Sequence, residues 1–260
     1  MDPVYLIPGA AALIEWMLAA ILYALAWYGE RHFISRAGDS LAVAGLVTAL
    51  GGGLWMAWEL SPNMALAPSS MATGLAVSTL AVYAVLAHRR SERLSALAIL
   101  GLAILLQAFA VGRLWWGVEP APSVVLLPLG AALRALTGLV GYAALAVAGM
   151  TIALSFGLAR ARDRLSVGQW AAATGLADLE WRSLQIATLV LALSLSMGAI
   201  HSWWGLGQIM TGGFVWDLIT WLLAVAGTYG LMRNALPRRA AHSLLALALV
   251  TGIAAVLTWR

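Results

Sequence analysis

The 260-residue chain contains no cysteine and no lysine, and only 10% of its residues are charged. The missing cysteine excludes disulfides, iron–sulfur clusters and thiolate metal sites. All fifteen basic residues are therefore arginine, against eleven acidic ones. A soluble domain carries about 25% charged residues, so this chain lies outside that class. Its basic balance would suggest nucleic acid in a soluble protein. Here the arginines sit in short connections between apolar runs, which points to orientation in a membrane and not to nucleic acid.

What fills the chain is hydrophobic sequence, 62% of it. A helix needs about 20 apolar residues to cross a hydrocarbon core of about 30 Å. Eight runs meet that length approximately: Leu6–Tyr28, Leu41–Trp58, Ser70–Ala87, Leu94–Val111, Ala132–Leu158, Leu184–Ile200, Phe214–Met232 and Ala241–Trp259. The runs do not alternate as barrel strands would. The fold class predicted is an all-α integral membrane protein, one polytopic domain over residues 1–260 with about eight transmembrane helices. The first run lacks a basic leader and a small-residue cleavage site, so it reads as a retained helix.

Twelve of the fifteen arginines fall in the connections after runs one, three, five and seven. By the positive-inside rule those connections face the cytoplasm, and both termini and the 201–213 loop face outward. The expected location is a bacterial inner (cytoplasmic) membrane. Ser166–Trp181 reads as a short amphipathic helix in the inner interface, with Trp170 and Trp181 as anchors and Asp178 and Glu180 in water. Gly51-Gly52-Gly53 and the Gly/Ala-rich fifth run read as seams where helices approach closely. No internal repeat stands out.

Of thirteen tryptophans, eight fall at the outer surface in this topology: Trp55, Trp58, Trp115, Trp116, Trp203, Trp204, Trp216 and Trp259. An aromatic belt places indoles at headgroup level, but it should be similar on both faces. The outer excess leaves room for a cofactor or partner surface. His32, His88 and His242 border arginine-rich connections and read as interfacial side chains. His201 is the one outward histidine and adjoins Trp203 and Trp204. It can be a surface hydrogen-bonding residue or a ligand to a metal or haem iron.

Three ionisable residues lie within the runs: Glu15 about ten residues into the first, and Arg134 and Asp217 about a turn inside the outer ends of the fifth and seventh. Charges at such depth are costly and usually paired. They form either a functional site or a structural feature: an ion pair of Arg134 with Asp217 or with Glu15, or a protonated Glu15 bonded to a neighbouring helix. A solute transporter using Glu15 and Arg134 would need broken helices and paired half-repeats, which the sequence lacks. No hydrolase triad, phosphate loop or carboxylate metal site is present, so no catalytic residue is assigned.

The stretch from Trp204 to Trp221 resembles the cytochrome c assembly family, membrane haem-handling proteins of the CcsA/ResC and CcmC type. Their outward loop reads roughly W-G-x-x-W-x-W-D-P-K-E-T-W-x-L-I-T-W. Trp204-Gly205 meets its opening, and Trp216 through Trp221 (WDLITW) meets its close. Gly198-Ala199-Ile200 and Gly141-Tyr142-Ala143 match more loosely. The resemblance implies haem handling at the outer face, with His201, Trp203, Trp204 and Trp216 as the residues left to hold haem. The central aromatic platform is replaced by Gln208 through Phe214, and the family's haem-ligating histidines fall near Arg134 and Tyr229. A scaffold without its haem site implies an alternative: an accessory subunit of an electron-transfer complex, photosynthetic or respiratory, docking to other membrane subunits or cytochromes.

Overall fold

The computed structural model describes residues 6–29, 32–59, 68–87, 93–116, 129–160, 176–206 and 212–257. These form eight helices and, among the described residues, no strand: α1 Ile7–Gly29, α2 His32–Glu59, α3 Pro68–Ala87, α4 Arg93–Trp115, α5 Leu129–Arg160, α6 Leu176–Leu206, α7 Gly212–Met232 and α8 Arg238–Leu257. The first seven each contain a stretch long and apolar enough to cross a bilayer. The chain is an all-helical, multi-pass membrane protein. The run predicted for the eighth helix ends at residue 259, outside the described residues.

Several helices extend past the apolar runs that announce them. α2 begins nine residues before the predicted Leu41, because its first turns find a partner: the Tyr23 hydroxyl of α1 donates to Asp39. α6 starts at Leu176 and continues without a break into its apolar span. Residues 176–181 are thus the first turns of a spanning helix and not part of a separate interfacial one; residues 166–175, with Trp170, lie outside the described residues. α6 also runs on to Leu206, so the connection predicted over 201–213 shortens to 207–211 and the backbone of His201 is helical.

The chain divides into two compact units, Met1–Leu126 and Leu127–Arg260. Within the first, consecutive helices pack as neighbours and α4 closes the ring against α1. Within the second, α5, α6, α7 and α8 pack in the same cyclic order, α8 closing against α5. The sequence shows no repeat, yet the two units share this connectivity.

The first unit is organised by a small-residue seam. α1 turns Ala12, Trp16, Ala19, Tyr23 and Ala26 inward at alternating spacings of four and three, the stripe a helix must present to bury one face. α2 answers with glycine every seventh residue. A Cβ on Gly45 would stand 2.5 Å from the Trp16 ring, and one on Gly52 would stand 2.3 Å from Pro8 Cβ. The absent side chains let Trp16 lie against the α2 backbone, where its indole N–H donates to Ala42 O at 3.2 Å. Gly51 and Gly53 face open space, so only the middle member of the triplet belongs to the seam. Near the start of α1, fully buried Gln107 of α4 donates to Gly9 O at 3.2 Å.

Overpacking a tight contact costs about 1–3 kcal/mol. Gly45→Leu is expected to destabilise the detergent-solubilised protein by that amount in denaturant unfolding. Gly51→Ala and Gly53→Ala are expected to be neutral or slightly stabilising, since alanine is the better helix former.

Candidate functional site

Two ionisable residues from within the apolar runs of the second unit meet in its interior. Arg134 lies about a turn into α5 and Asp217 about a turn into α7, helices that stand across the ring from one another. Arg134 Nη2 donates to Asp217 Oδ2 at 2.6 Å, and both side chains are about nine-tenths buried. The Tyr142 hydroxyl, two turns further along α5, donates to the other carboxylate oxygen. One carboxylate is therefore held by two donors from the opposite helix.

The two intervening helices make room for this crossing. A Cβ on Gly198 of α6 would sit 2.9 Å from Arg134 Nε, and one on Gly252 of α8 would sit 2.8 Å from the Tyr142 ring. Around the core of the site, Ser194 Oγ of α6 donates to Arg134 O at 3.2 Å. Thr220 of α7 donates to Thr251 of α8 at 3.0 Å. Asp217 forms the anionic centre of a cluster drawing on all four helices. Of the two partners the sequence offers Arg134, Asp217 is the one bonded to it; Glu15 is half-buried in the first unit, and its Oε2 has no hydrogen-bond partner among the described residues.

A second pair bridges the other diagonal at the opposite helix ends. Glu180 near the start of α6 and His242 near the start of α8 are both more than nine-tenths buried. His242 Nε2 stands 3.3 Å from Glu180 Oε1, close enough for an ion pair when the imidazole is protonated but outside hydrogen-bonding alignment. The Phe156 ring of α5 meets the imidazole edge-on at 5.3 Å. This corrects the expectation of Glu180 in water; His242 lies near the start of α8, beside Arg238 and Arg239, with its side chain buried in the unit. Because α6 is continuous, Leu176, Leu179, Glu180, Ser183, Leu184 and Ala187 share one buried stripe, and Glu180 points inward with it. That 3–4 spacing is visible in the sequence and would have placed Glu180 inside.

The tryptophans divide by face. In the WDLITW hexapeptide, Asp217 and Thr220 are buried while Trp216 is 47% exposed. Trp221 turns toward α6, its indole N–H donating to Thr188 O at 3.1 Å. Trp203, 58% exposed, stands on the last turns of α6, near the short connection to α7. Among the described side chains of the first unit, Trp115 and Trp116 are the most exposed indoles, and Trp55 is less so. The side chains of His201, Trp204 and Trp58, and residue Trp259, lie outside the described residues, as do the side chain of His32 and residue His88.

Chemically, the Arg134–Asp217–Tyr142 cluster is neutral and closed: its carboxylate is consumed by intramolecular donors. It can hold helices in register; it leaves no activated nucleophile. Among the described residues, no group of three histidine, cysteine, aspartate or glutamate side chains converges on a common point. No family model, curated protein or solved structure compared with the chain matches it.

Breaking a buried pair from one side costs about 3–5 kcal/mol, whereas replacing both partners with apolar residues is often neutral. Asp217→Ala is expected to destabilise the protein by that amount in denaturant unfolding in detergent. The double variant Arg134→Met/Asp217→Leu should recover most of the loss.

Proposed function

We propose that the chain is a non-catalytic scaffold or accessory subunit of a larger membrane complex, electron-transferring and either photosynthetic or respiratory. It would reside in a bacterial inner membrane, with the tryptophan-rich helix ends outward and the arginine-rich connections in the cytoplasm. One observation carries this reading. The Arg134–Asp217 pair buried deepest in the apolar runs of the second unit is spent on itself across the ring, while Trp203 and Trp216 of that unit remain exposed, as do Trp115 and Trp116 of the first. A protein that must ligate or translocate keeps a polar group available for the task. A protein that must dock keeps a rigid body and a large aromatic surface, where tryptophan contributes more per residue than most side chains.

A second reading rests on the likeness of Trp204 to Trp221 to the cytochrome c assembly family. It is favoured by the exposure of Trp203 and Trp216 on either side of the 207–211 connection. In that reading the chain presents or stabilises haem at the outer face, with His201 as ligand and Trp203, Trp204 and Trp216 as stacking partners.

Gentle detergent purification of the tagged chain, with an absorbance spectrum and mass spectrometry of what accompanies it, separates the two. The subunit reading expects a colourless chain, or colour belonging wholly to partners. It also expects Trp203→Ala/Trp216→Ala to shed those partners without lowering the melting temperature. A Soret band that follows the isolated chain and disappears in His201→Ala would overturn it in favour of haem handling.

A further inference from the structure

The second unit contains a cavity of about 500 Å³ beside the Glu180–His242 pair, where α6 starts, α7 ends and α8 starts. Its walls include Glu180, Trp181, Met232, Asn234, Leu236 and Arg238. The volume lies within the range of small-ligand sites, about 300–1,000 Å³. The neutral outer cluster takes no part in it.

The backbone that shapes the cavity is specified locally. Asn234 has φ +50°, the left-handed conformation that ends helices and that asparagine tolerates better than most residues. The turn folds the chain back over the end of α7, so that Leu236 packs on Gly230, where a Cβ would meet its side chain at 2.8 Å. Pro237 then opens α8, its carbonyl accepting from Ala241 N at 3.1 Å. Arg238 is thereby delivered to the cavity's edge, exposed on the first turn of α8.

The walls carry one acidic and one basic side chain, Glu180 and Arg238. Glu180 contributes a carboxyl group, and α7 ends beside it, where a helix concentrates the partial negative charge of its last carbonyls. Arg238 is cationic and stands at a helix start, where the partial charge is positive. Trp181 adds an indole of the kind that receives organic cations. A purely anionic ligand would meet Arg238 but leave Glu180 opposed. A purely cationic one would do the reverse. The apolar part of the wall, Met232 and Leu236, suits the uncharged body of an amphiphile. The cavity also lies where the apolar spans Leu176–Ile200 and Phe214–Met232 reach their ends, the level at which lipid headgroups sit.

We propose that this cavity binds a phosphoethanolamine group. The primary ammonium sits on the Glu180, Trp181 and α7 side, and the phosphate on Arg238 and the start of α8. A lipid headgroup and a soluble phosphoethanolamine present the same chemistry, and the test distinguishes them.

The full-length chain is purified in detergent, and its thermal unfolding is followed with added phosphatidylethanolamine, phosphatidylglycerol, phosphatidylcholine or free phosphoethanolamine. Phosphatidylethanolamine is expected to raise the melting temperature saturably and more than the other two lipids. Arg238→Gln should weaken its apparent affinity about tenfold, the loss of one charge-assisted contact. Asn234→Gly, which preserves the left-handed backbone and removes the amide, should weaken it several-fold. Arg239→Gln, one residue outside the cavity wall, should not. A saturable shift from free phosphoethanolamine that Arg238→Gln weakens alike supports the same site with a soluble ligand. Equal shifts from phosphatidylglycerol, no shift at all, or an Arg238→Gln variant that binds unchanged would each overturn the proposal.

Discussion

The bond on which the second unit depends is the crossing from Arg134 and Tyr142 on α5 to Asp217 on α7. A ring of four helices can be held by neighbour contacts alone, and such contacts tolerate sliding. A carboxylate held from the opposite helix by donors two turns apart does not. In a low-dielectric interior the cost of separating these partners is high, so the cluster fixes the axial register of α5 and α7 together. Gly198 and Gly252 follow from it, since any side chain at either position would meet the crossing groups. At the other end Glu180 of α6 and His242 of α8 approach across the second diagonal to 3.3 Å, without a hydrogen bond. Each diagonal thus brings one pair of ionisable side chains together.

The first unit has the same ring order and a different means of holding it. Its polar contacts join neighbours, Tyr23 to Asp39, Tyr83 to Ser95 and Gln107 to Gly9, and its tightest packing is the glycine seam between α1 and α2. Helices in lipid gain little from burying apolar surface against one another, so close backbone approach and hydrogen bonds carry the association. One connectivity is therefore stabilised in two ways: dense van der Waals contact along a seam in the first unit, and charge across diagonals in the second.

How much of this the sequence discloses depends on the kind of signal. Among the described residues, seven of the eight apolar runs correspond to helices long enough to span a bilayer, because hydrocarbon thickness sets their length directly. Arg134 and Asp217 stand out for the same reason: ionised groups inside apolar runs demand a partner. The helix ends are less legible. α2 and α6 extend into polar sequence because Asp39 and Glu180 find partners on other helices, which local hydropathy does not register. Tyr142 is visible only as part of a loose motif match, since its role depends on a helix across the ring. The shared ring order is invisible because it resides in which helices touch and not in any recurring residue.

The order in which the partners are made adds a constraint on how the second unit is assembled. Asp217 follows Arg134 by 83 residues. At a synthesis rate of about 5–20 residues per second, Arg134 waits on the order of ten seconds for its carboxylate. During that interval the guanidinium has to remain near water, and a position one turn inside a helix end lets a long side chain reach the headgroup layer. The same arginine at mid-membrane would have no such refuge while it waited. Placing the crossing near the helix ends thus serves biogenesis as well as stability: the charge that finally braces the unit can be inserted alone and withdrawn from the interface only once α7 has arrived.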